Sequence, residues 1–469
     1  LDVQQRPEEI GKLTPATGAE KSRALVIGPY LRPHAQERTG RSAGGNTRSL
    51  DARLEEAVGL ALAIDLDIVH SGVVALNAIT PATYVGKGKV EELAGVVKAS
   101  DAGLVIVDAS LSPVQQRNLE KAWNAKVLDR TGLILEIFGQ RAHTREGVLQ
   151  VEHAHLSYQK GRLVRSWTHL ERQRGGFGFL GGPGETQLET DRRLIEDRLA
   201  RIERDLDTVK RTRALHRKSR RRVPYPVIAL VGYTNAGKST LFNRLTGGKV
   251  LEADLLFATL DPTLRAVKLP GGAHVILSDT VGFISDLPTT LIAAFRATLE
   301  EVIEADIILH VRDIAHPDSD AQAHDVEKVL EELGIDVEAS GHIVELWNKA
   351  DRLTPDDRDR IANQAARRPA RKPAVLVSAL SGEGLPAVAT AIEARLAEQR
   401  PVFDVTLAPE NGEGLSWLYR HAEVLTRSEG PSGETLLRVR VDPSKAGLVE
   451  QRFPTGLRRN LDDPSPAPR

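Results

Sequence analysis

The stretch Val227-Ile228-Ala229-Leu230-Val231-Gly232-Tyr233-Thr234-Asn235-Ala236-Gly237-Lys238-Ser239-Thr240 decides how this chain is read. Val227–Val231 is uninterruptedly apolar and has the length of a buried strand. It runs directly into G-x-x-x-x-G-K-[ST], and Thr240–Leu245 beyond reads as helix. Strand, glycine loop and helix in that order predict a phosphate-binding loop. Its glycines let successive backbone N–H groups converge on phosphate oxygens at a helix N-terminus, where the dipole favours an anion. Gly232, Tyr233, Thr234, Asn235, Ala236, Gly237, Lys238, Ser239 and Thr240 are therefore nucleotide-binding candidates. Lys238 is expected at the β- and γ-phosphates and Ser239 on Mg2+.

Three later segments fit the same site. Val275–Leu277 leads to Asp279-Thr280-Val281-Gly282, whose carboxylate can hold the Mg2+ shell, directly or through water, while the Gly282 amide can sense a γ-phosphate. His342–Leu346 ends in Asn348-Lys349-Ala350-Asp351. Asp351 can accept from guanine N1–H and the 2-amino group together, a donor pair that adenine lacks, so discrimination of ~10⁴-fold is expected. Ala374–Val377 leads to Ser378-Ala379-Leu380, a turn suited to closing over a base. Each segment is short, but four in this order, each ending a predicted strand, predict a Ras-like P-loop GTPase domain. Its ligand would sit outside the carboxyl ends of the strands.

Between the loop and Asp279 lies Phe257-Ala258-Thr259-Leu260-Asp261-Pro262-Thr263. Phe257 and Ala258 are expected to border the nucleotide. A switch needs a hydroxyl here that reaches Mg2+ and γ-phosphate only in the triphosphate state; Thr259 is assigned to it, with Thr263 in reserve. Lys238, Thr259 and Gly282 form the expected catalytic set. Phe283 stands where many Ras-like GTPases carry the glutamine that orients attacking water, and a phenyl ring cannot do this. Intrinsic hydrolysis should therefore be slow. Asn235 offers one remedy, since GTPases with Asn here often use K+ near the phosphates; a purely bracing role stays open.

The rest of the chain places this domain in context. Its 469 residues exceed one hydrophobic core, and 41% hydrophobic with 27% charged residues describes a folded chain rather than a disordered or membrane-embedded one. No Cys is present, which excludes disulfides, thiolate metal sites and cysteine catalysis. No Met is present either, so contiguous motifs carry more weight than the distances between them. No apolar run approaches ~18 residues, no secretory segment is evident, and a cytoplasmic location is expected. The predicted organisation is α/β and multidomain. A flexible tail (1–23) precedes an N-terminal α/β domain (24–138), then a long antiparallel helical hairpin with glycine-rich tip and basic linker (139–222). The Ras-like domain (223–399), a small α+β domain (400–458) and a disordered end (459–469) follow.

The hairpin rests on two heptad series, Leu149, Leu156, Leu163, Leu170 and Leu188, Ile195, Ile202, Val209. Thr186 and Glu189 have capping-box spacing and predict the start of the second helix. The loop Gly175-Gly176-Phe177-Gly178-Phe179-Leu180-Gly181-Gly182-Pro183-Gly184 lacks a lysine and a preceding strand, which excludes a second phosphate loop. Residues 160–222 hold 18 Lys and Arg against 9 Asp and Glu, or +9, so the remainder of this −1 chain carries −10. Arg165, Trp167, Arg172, Arg174, Phe177, Phe179 and Leu180 combine phosphate-seeking cations with stacking and apolar groups, as structured RNA requires. Gly86–Lys89 is read as an ordinary basic helix start, and Arg312 is an unexplained charge in an apolar strand.

The Asn-bearing phosphate loop, Phe257–Thr263, Asp279–Phe283 and above all the text SWTHLERQRGGFGFLGGPGETQLET at Ser166–Thr190 resemble the HflX family of bacterial ribosome-associated GTPases. The resemblance spans about residues 24–450. It implies a monomeric GTP/GDP-binding factor, with Mg2+ and possible K+, that joins the large (50S) ribosomal subunit and its rRNA. It further implies that such a factor helps split stalled or stress-damaged ribosomes, is stimulated by the ribosome, and spans no membrane. A GTPase assembly factor for the large subunit is the nearest alternative. A tRNA-modification GTPase is disfavoured by the absence of Cys, and an ATP-driven helicase by Asn348–Asp351.

Overall fold

The computed structural model describes residues 22–32, 48–173, 183–220, 225–248, 256–257, 259–288, 291, 296–337, 341–369, 371–398, 401–431, 433–441, 443–454 and 457–459. Contacts divide the chain into two units: Leu1–Asp205 with Ala253–Ala258 and Asp286–Phe295, and Leu206–Glu252 with Thr259–Ser285 and Arg296–Arg469.

The first unit alternates strand and helix: β1 (Arg23–Leu31), α1 (Leu50–Leu62), β2 (Asp67–Leu76), α2 (Lys87–Ala99), β3 (Leu104–Val107), α3 (Pro113–Trp123), β4 (Lys126–Asp129) and α4 (Arg130–Arg141). The strands form a parallel sheet in the order β2-β1-β3-β4. Helix α3 starts on a Ser112–Gln115 capping box with Pro113 beside it, and stops at Asn124, whose φ is 49°. Helix α4 carries no clear apolar stripe in the sequence. The reason is its burial: Leu133, Ile134, Leu135, Ile137 and Phe138 are enclosed together with Arg130, Thr131 and Gly132.

Helices α5 (Arg145–Gln173) and α6 (Pro183–Arg220) follow. Ion pairs join Glu152 to Arg198 at 2.7 Å, His153 to Glu203 at 3.3 Å and Lys160 to Glu196 at 3.1 Å. Two expectations need correction. Helix α6 begins at Pro183, so Thr186 and Glu189 lie inside it instead of capping it, and Pro183 supplies a first-turn residue that lacks the N–H helices cannot use there. The basic stretch from His216 continues the helix as far as Arg220.

The second unit contains β5 (Val227–Gly232), α7 (Lys238–Thr246), β6 (Thr263–Lys268), β7 (His274–Asp279), α8 (Arg296–Ile303), β8 (Ile307–Asp313), α9 (Ser319–Glu332), β9 (Ile343–Asn348), α10 (Pro355–Ala366), β10 (Ala374–Leu376) and α11 (Leu385–Glu398). Its sheet order is β10-β9-β8-β5-β7-β6, parallel except for β6. One sheet face is apolar, with Leu230, Leu277, Leu309 and Leu346 packed on Leu241, Val388 and Ile392. The other face explains Arg312: its guanidinium lies 3.0 Å from buried Glu345, which also accepts from Trp347 Nε1 at 2.8 Å and pairs with Arg368.

Beyond Arg400 come β11 (Val402–Leu407), α12 (Gly412–His421), β12 (Ala422–Glu429), β13 (Thr435–Val441), α13 (Pro443–Arg452) and β14 (Leu457–Arg459). The antiparallel order β12-β13-β11-β14 makes a βαββαβ split arrangement with its own core, including Phe403, Val405, Leu418, Val439 and Phe453.

Candidate guanine-nucleotide site

The phosphate loop turns at the carboxyl end of β5, where two glycines are sterically required. A Cβ on Gly232 would lie 2.2 Å from the Val311 carbonyl oxygen, and one on Gly237 2.3 Å from Asn348 Nδ2. Gly237 also has φ 92°, and Asn235, exposed at the bend, has φ 59°. Lys238 opens α7 and is buried; its Nζ donates to the carbonyls of Gly232 (3.1 Å) and Tyr233 (2.8 Å). Burial pushes this ammonium down to about 8, with Asp279 pulling in the opposite direction. Thr240, one step along α7, is half-buried.

Three oxygens from separate segments meet beside Lys238. Ser239 Oγ lies 2.8 Å from Asp279 Oδ2 and 3.0 Å from Thr259 Oγ1, and Thr259 Oγ1 lies 3.1 Å from the same carboxylate oxygen. Asp279 Oδ1 is buried without a hydrogen-bond partner among the described residues. Burial raises the Asp279 pKa against the influence of Lys238, the two hydroxyls and the Thr280 backbone N–H. Two hydroxyls and an under-satisfied carboxylate are a hard-oxygen set of the kind Mg2+ takes, completed by phosphate and water. Thr259 stands in this group; Thr263, the reserve, starts β6 and pairs with Asp279 through the backbone.

The base-reading segments are tied to the loop. Asn348 Nδ2 donates to Ala236 O at 2.8 Å, and its Oδ1 accepts from Ala379 N at 2.9 Å. Asp351 Oδ1 accepts from Ser378 Oγ at 2.5 Å, and Leu380 is exposed. Lys349, at φ 66°, pairs through Nζ with Asp313 at 2.7 Å. The sequence reading missed two residues of this layer. Arg244 on α7 donates to the Ala379 carbonyl at 3.1 Å and to that of Leu380, and Asp313 ends β8. Arg244 follows Lys238 by six residues without any motif of its own, so only contacts reveal it; the polar residue ending an apolar strand at Asp313 was a usable signal.

Several other assigned residues are buried. Tyr233 is buried with its hydroxyl on Ser285 N, and Thr280 Oγ1 donates back to Leu230 O at 2.5 Å. Val281 is buried, as is the side chain of Thr234. Gly282 abuts the loop: a Cβ there would be 2.8 Å from Thr234 Cγ2 and 3.0 Å from Lys238 Nζ. Phe257 belongs to the first unit, its ring edge-on to Phe138 with centroids 4.8 Å apart. Ala258, Arg174, Phe177, Phe179 and Leu180 lie outside the described residues, and of Arg165, Trp167 and Arg172 only the helical backbone is described.

Family models match nearly the whole chain in order: "GTP-binding GTPase N-terminal" at 51–139, "GTP-binding GTPase Middle Region" at 141–220, "50S ribosome-binding GTPase" at 227–349 and "HflX C-terminal domain" at 361–463. GTPase HflX of Magnetococcus marinus is 47% identical over 397 residues, covering 85% of this chain and 90% of that protein. The chain belongs to the HflX family of GTPases. The Escherichia coli HflX protein is 46% identical over 381 residues, 80% of this chain and 88% of its own length. An Arabidopsis thaliana chloroplastic GTP-binding protein is 38% identical over 399 residues, 75% of this chain and 62% of its own. Family membership makes the strand-end segments above those of a GTP-binding domain. Among the described residues, no helix is long and apolar enough to cross a membrane.

Proposed function

We propose that this HflX-family chain binds and hydrolyses GTP in the cytoplasm, acts as a monomer on the large ribosomal subunit, and helps dissociate stalled or stress-damaged ribosomes. The convergence of Ser239, Thr259 and Asp279 oxygens within 3.1 Å of one another, beside Lys238, carries the nucleotide part. Lys238 and the loop amides hold the phosphates, Asp351 reads the guanine edge, and Asn348 locks both segments together. Ser239 and Thr259 would ligate Mg2+ and Asp279 would hold its shell; when bound, the ion supplies positive charge against the β- and γ-phosphates.

Phe283 is buried to 1% exposure, so no side chain at that position orients water. This supports a low intrinsic rate, which the ribosome is proposed to raise. Asn235, exposed at the loop bend, is the proposed K+ contact; equal GTPase rates in K+ and Na+ at matched ionic strength would remove that role. Helices α5 and α6 are read as an antiparallel hairpin that presents the 175–184 tip and its arginine-rich flanks to rRNA. The reversed order of the Glu152–Arg198 and Lys160–Glu196 pairs supports this reading.

Sedimentation of intact ribosomes with the protein and a non-hydrolysable GTP analogue tests the proposal. Conversion to subunits, lost when residues 175–184 are deleted while GTP affinity stays, is the expected result. Binding confined to immature large subunits would favour the assembly role instead.

A further inference from the structure

Tyr233 is unusual for a phosphate-loop residue, because its side chain is turned away from the ligand into the protein. Its hydroxyl accepts from the backbone N–H of Ser285 at 2.7 Å, while the residue is only 4% exposed. This bond is the last of three that lay the segment after Asp279 onto the loop. Thr234 N donates to Phe283 O at 2.7 Å, and Phe283 N donates to Gly232 O at 3.1 Å, forming a two-residue β-bridge between Tyr233 and Phe283. Phe283 and Ile284, each 1% exposed, anchor the segment through the core.

The clamped segment bears on nucleotide discrimination. The Gly282 Cβ position is 3.0 Å from Lys238 Nζ and 2.8 Å from Thr234 Cγ2, so this part of the backbone is pressed against the lysine. Lys238 meanwhile spends its protons on the Gly232 and Tyr233 carbonyls. A γ-phosphate has to receive both the lysine and the Gly282 amide at hydrogen-bond distance, which requires its oxygens to lie between them. With the Cβ position of Gly282 this close to the lysine, a γ-phosphate entering between them would displace the segment and strain the three bonds. A β-phosphate, cradled by the loop amides alone, makes no such demand.

We infer that Tyr233 is a positioning residue for the nucleotide switch: its hydroxyl holds Ser285 so that 282–285 lies on the loop whenever the γ-phosphate is absent, setting the GTP/GDP preference. The inference rests on the guanine-nucleotide reading of the site. Among the groups described, the Tyr233 hydroxyl is the only side-chain atom in the three bonds, so it alone can be removed without touching the backbone.

The test uses the full chain with Mg2+ and fluorescent GDP and non-hydrolysable GTP analogues. Tyr233→Phe should tighten the GTP analogue about fivefold, the worth of one hydrogen bond to a neutral amide, with GDP affinity within twofold of wild type. Ser285 is half-buried in a turn with Asp286, and proline has no backbone N–H to donate. Ser285→Pro therefore removes the donor from the other side and should give the same shift. The double variant should equal either single one, because the bond that the two residues share is already gone in each. An unchanged GTP/GDP ratio in Tyr233→Phe, or additive effects in the double variant, would overturn the assignment. Parallel loss of both affinities would do so too, by making Tyr233 a part of the loop's general architecture. Wild-type protein that binds neither nucleotide would instead defeat the reading on which the inference rests.

Discussion

Asp129 closes β4 and Asp279 closes β7; both end strands of largely parallel sheets, and both are at most 1% exposed. Yet the chain treats them oppositely. Asp129 accepts from Tyr158 Oη (2.5 Å), Gly132 N (2.9 Å), Arg162 (2.6 Å) and Leu111 N (3.2 Å). One strand over, Asp108 accepts from Tyr30 Oη and Arg130, each at 2.5 Å, and Arg130 also grips Glu56 at 2.5 Å. Burial works against the Arg130 charge, and its two carboxylates more than restore it; burial beside carboxylates pushes both phenols up. Asp279 has two hydroxyls on one oxygen and, among the described residues, none on the other. The carboxyl end of a parallel sheet is where α/β folds bind ligands. Here, position alone makes no site; the site lies where polar groups are left for something else to satisfy.

The largest effect that could break this contrast is on stability. Arg130→Met leaves the buried Asp108 carboxylate without its cation, while half-buried Glu56 keeps Arg48 at 2.9 Å, and should cost about 3–5 kcal/mol in urea unfolding. GTP affinity should be unchanged; a tenfold fall in the folded variant would place the N-terminal carboxylates in the nucleotide site. In the other sheet the effect moves to the ligand. Lys238→Ala should weaken GTP binding by about 3–4 kcal/mol, over a hundredfold, in a titration with fluorescent nucleotide. A thermal midpoint at or above wild type should accompany it, because the ammonium is desolvated in the empty loop.

A second internally paired carboxylate, Glu345, stands on the polar face of the second sheet, and a neighbouring histidine reports on its burial. His310 is 1% exposed, and burial holds it down to about 4, against the pull of Glu345. Above the ordinary histidine value near 6.5 the ring is neutral in both states. As pH falls from there to about 4, the unfolded chain takes up a proton that the native state refuses. Stability should drop by on the order of 3 kcal/mol across that window. His310→Phe should flatten this decline, and an unchanged pH profile would show that the ring ionises freely. The smallest effect has the opposite sign: Asp279→Asn should stabilise the nucleotide-free protein by about 1 kcal/mol while abolishing Mg2+-dependent GTP binding. A destabilised Asp279→Asn protein would make this carboxylate structural, like Asp129.

The difference between the regions also governs what the sequence revealed. The phosphate loop, Asp279–Gly282 and Asn348–Asp351 are contiguous because backbone amides and adjacent side chains must face one ligand together, so their spacing survives as text. The Asp108–Arg130–Glu56 cluster joins residues 22 and 74 positions apart, with nothing local to mark it. Arg244 escaped for the same reason, whereas Asp313 carried a local mark as the polar end of an apolar strand, and Arg312 is explained only by Glu345 on the neighbouring strand. Most strands and helices followed from apolar periodicity, whereas α4 did not, because a helix buried on all sides has no stripe to read.

The most direct measurement concerns Asp351, whose carboxylate is oriented by Ser378 Oγ at 2.5 Å. Dissociation constants of GTP and XTP for wild type and Asp351→Asn should show the preference inverting: GTP weakened by a hundredfold or more, XTP strengthened. GTP affinity equal to wild type in the variant would contradict the assignment of this pocket to guanine.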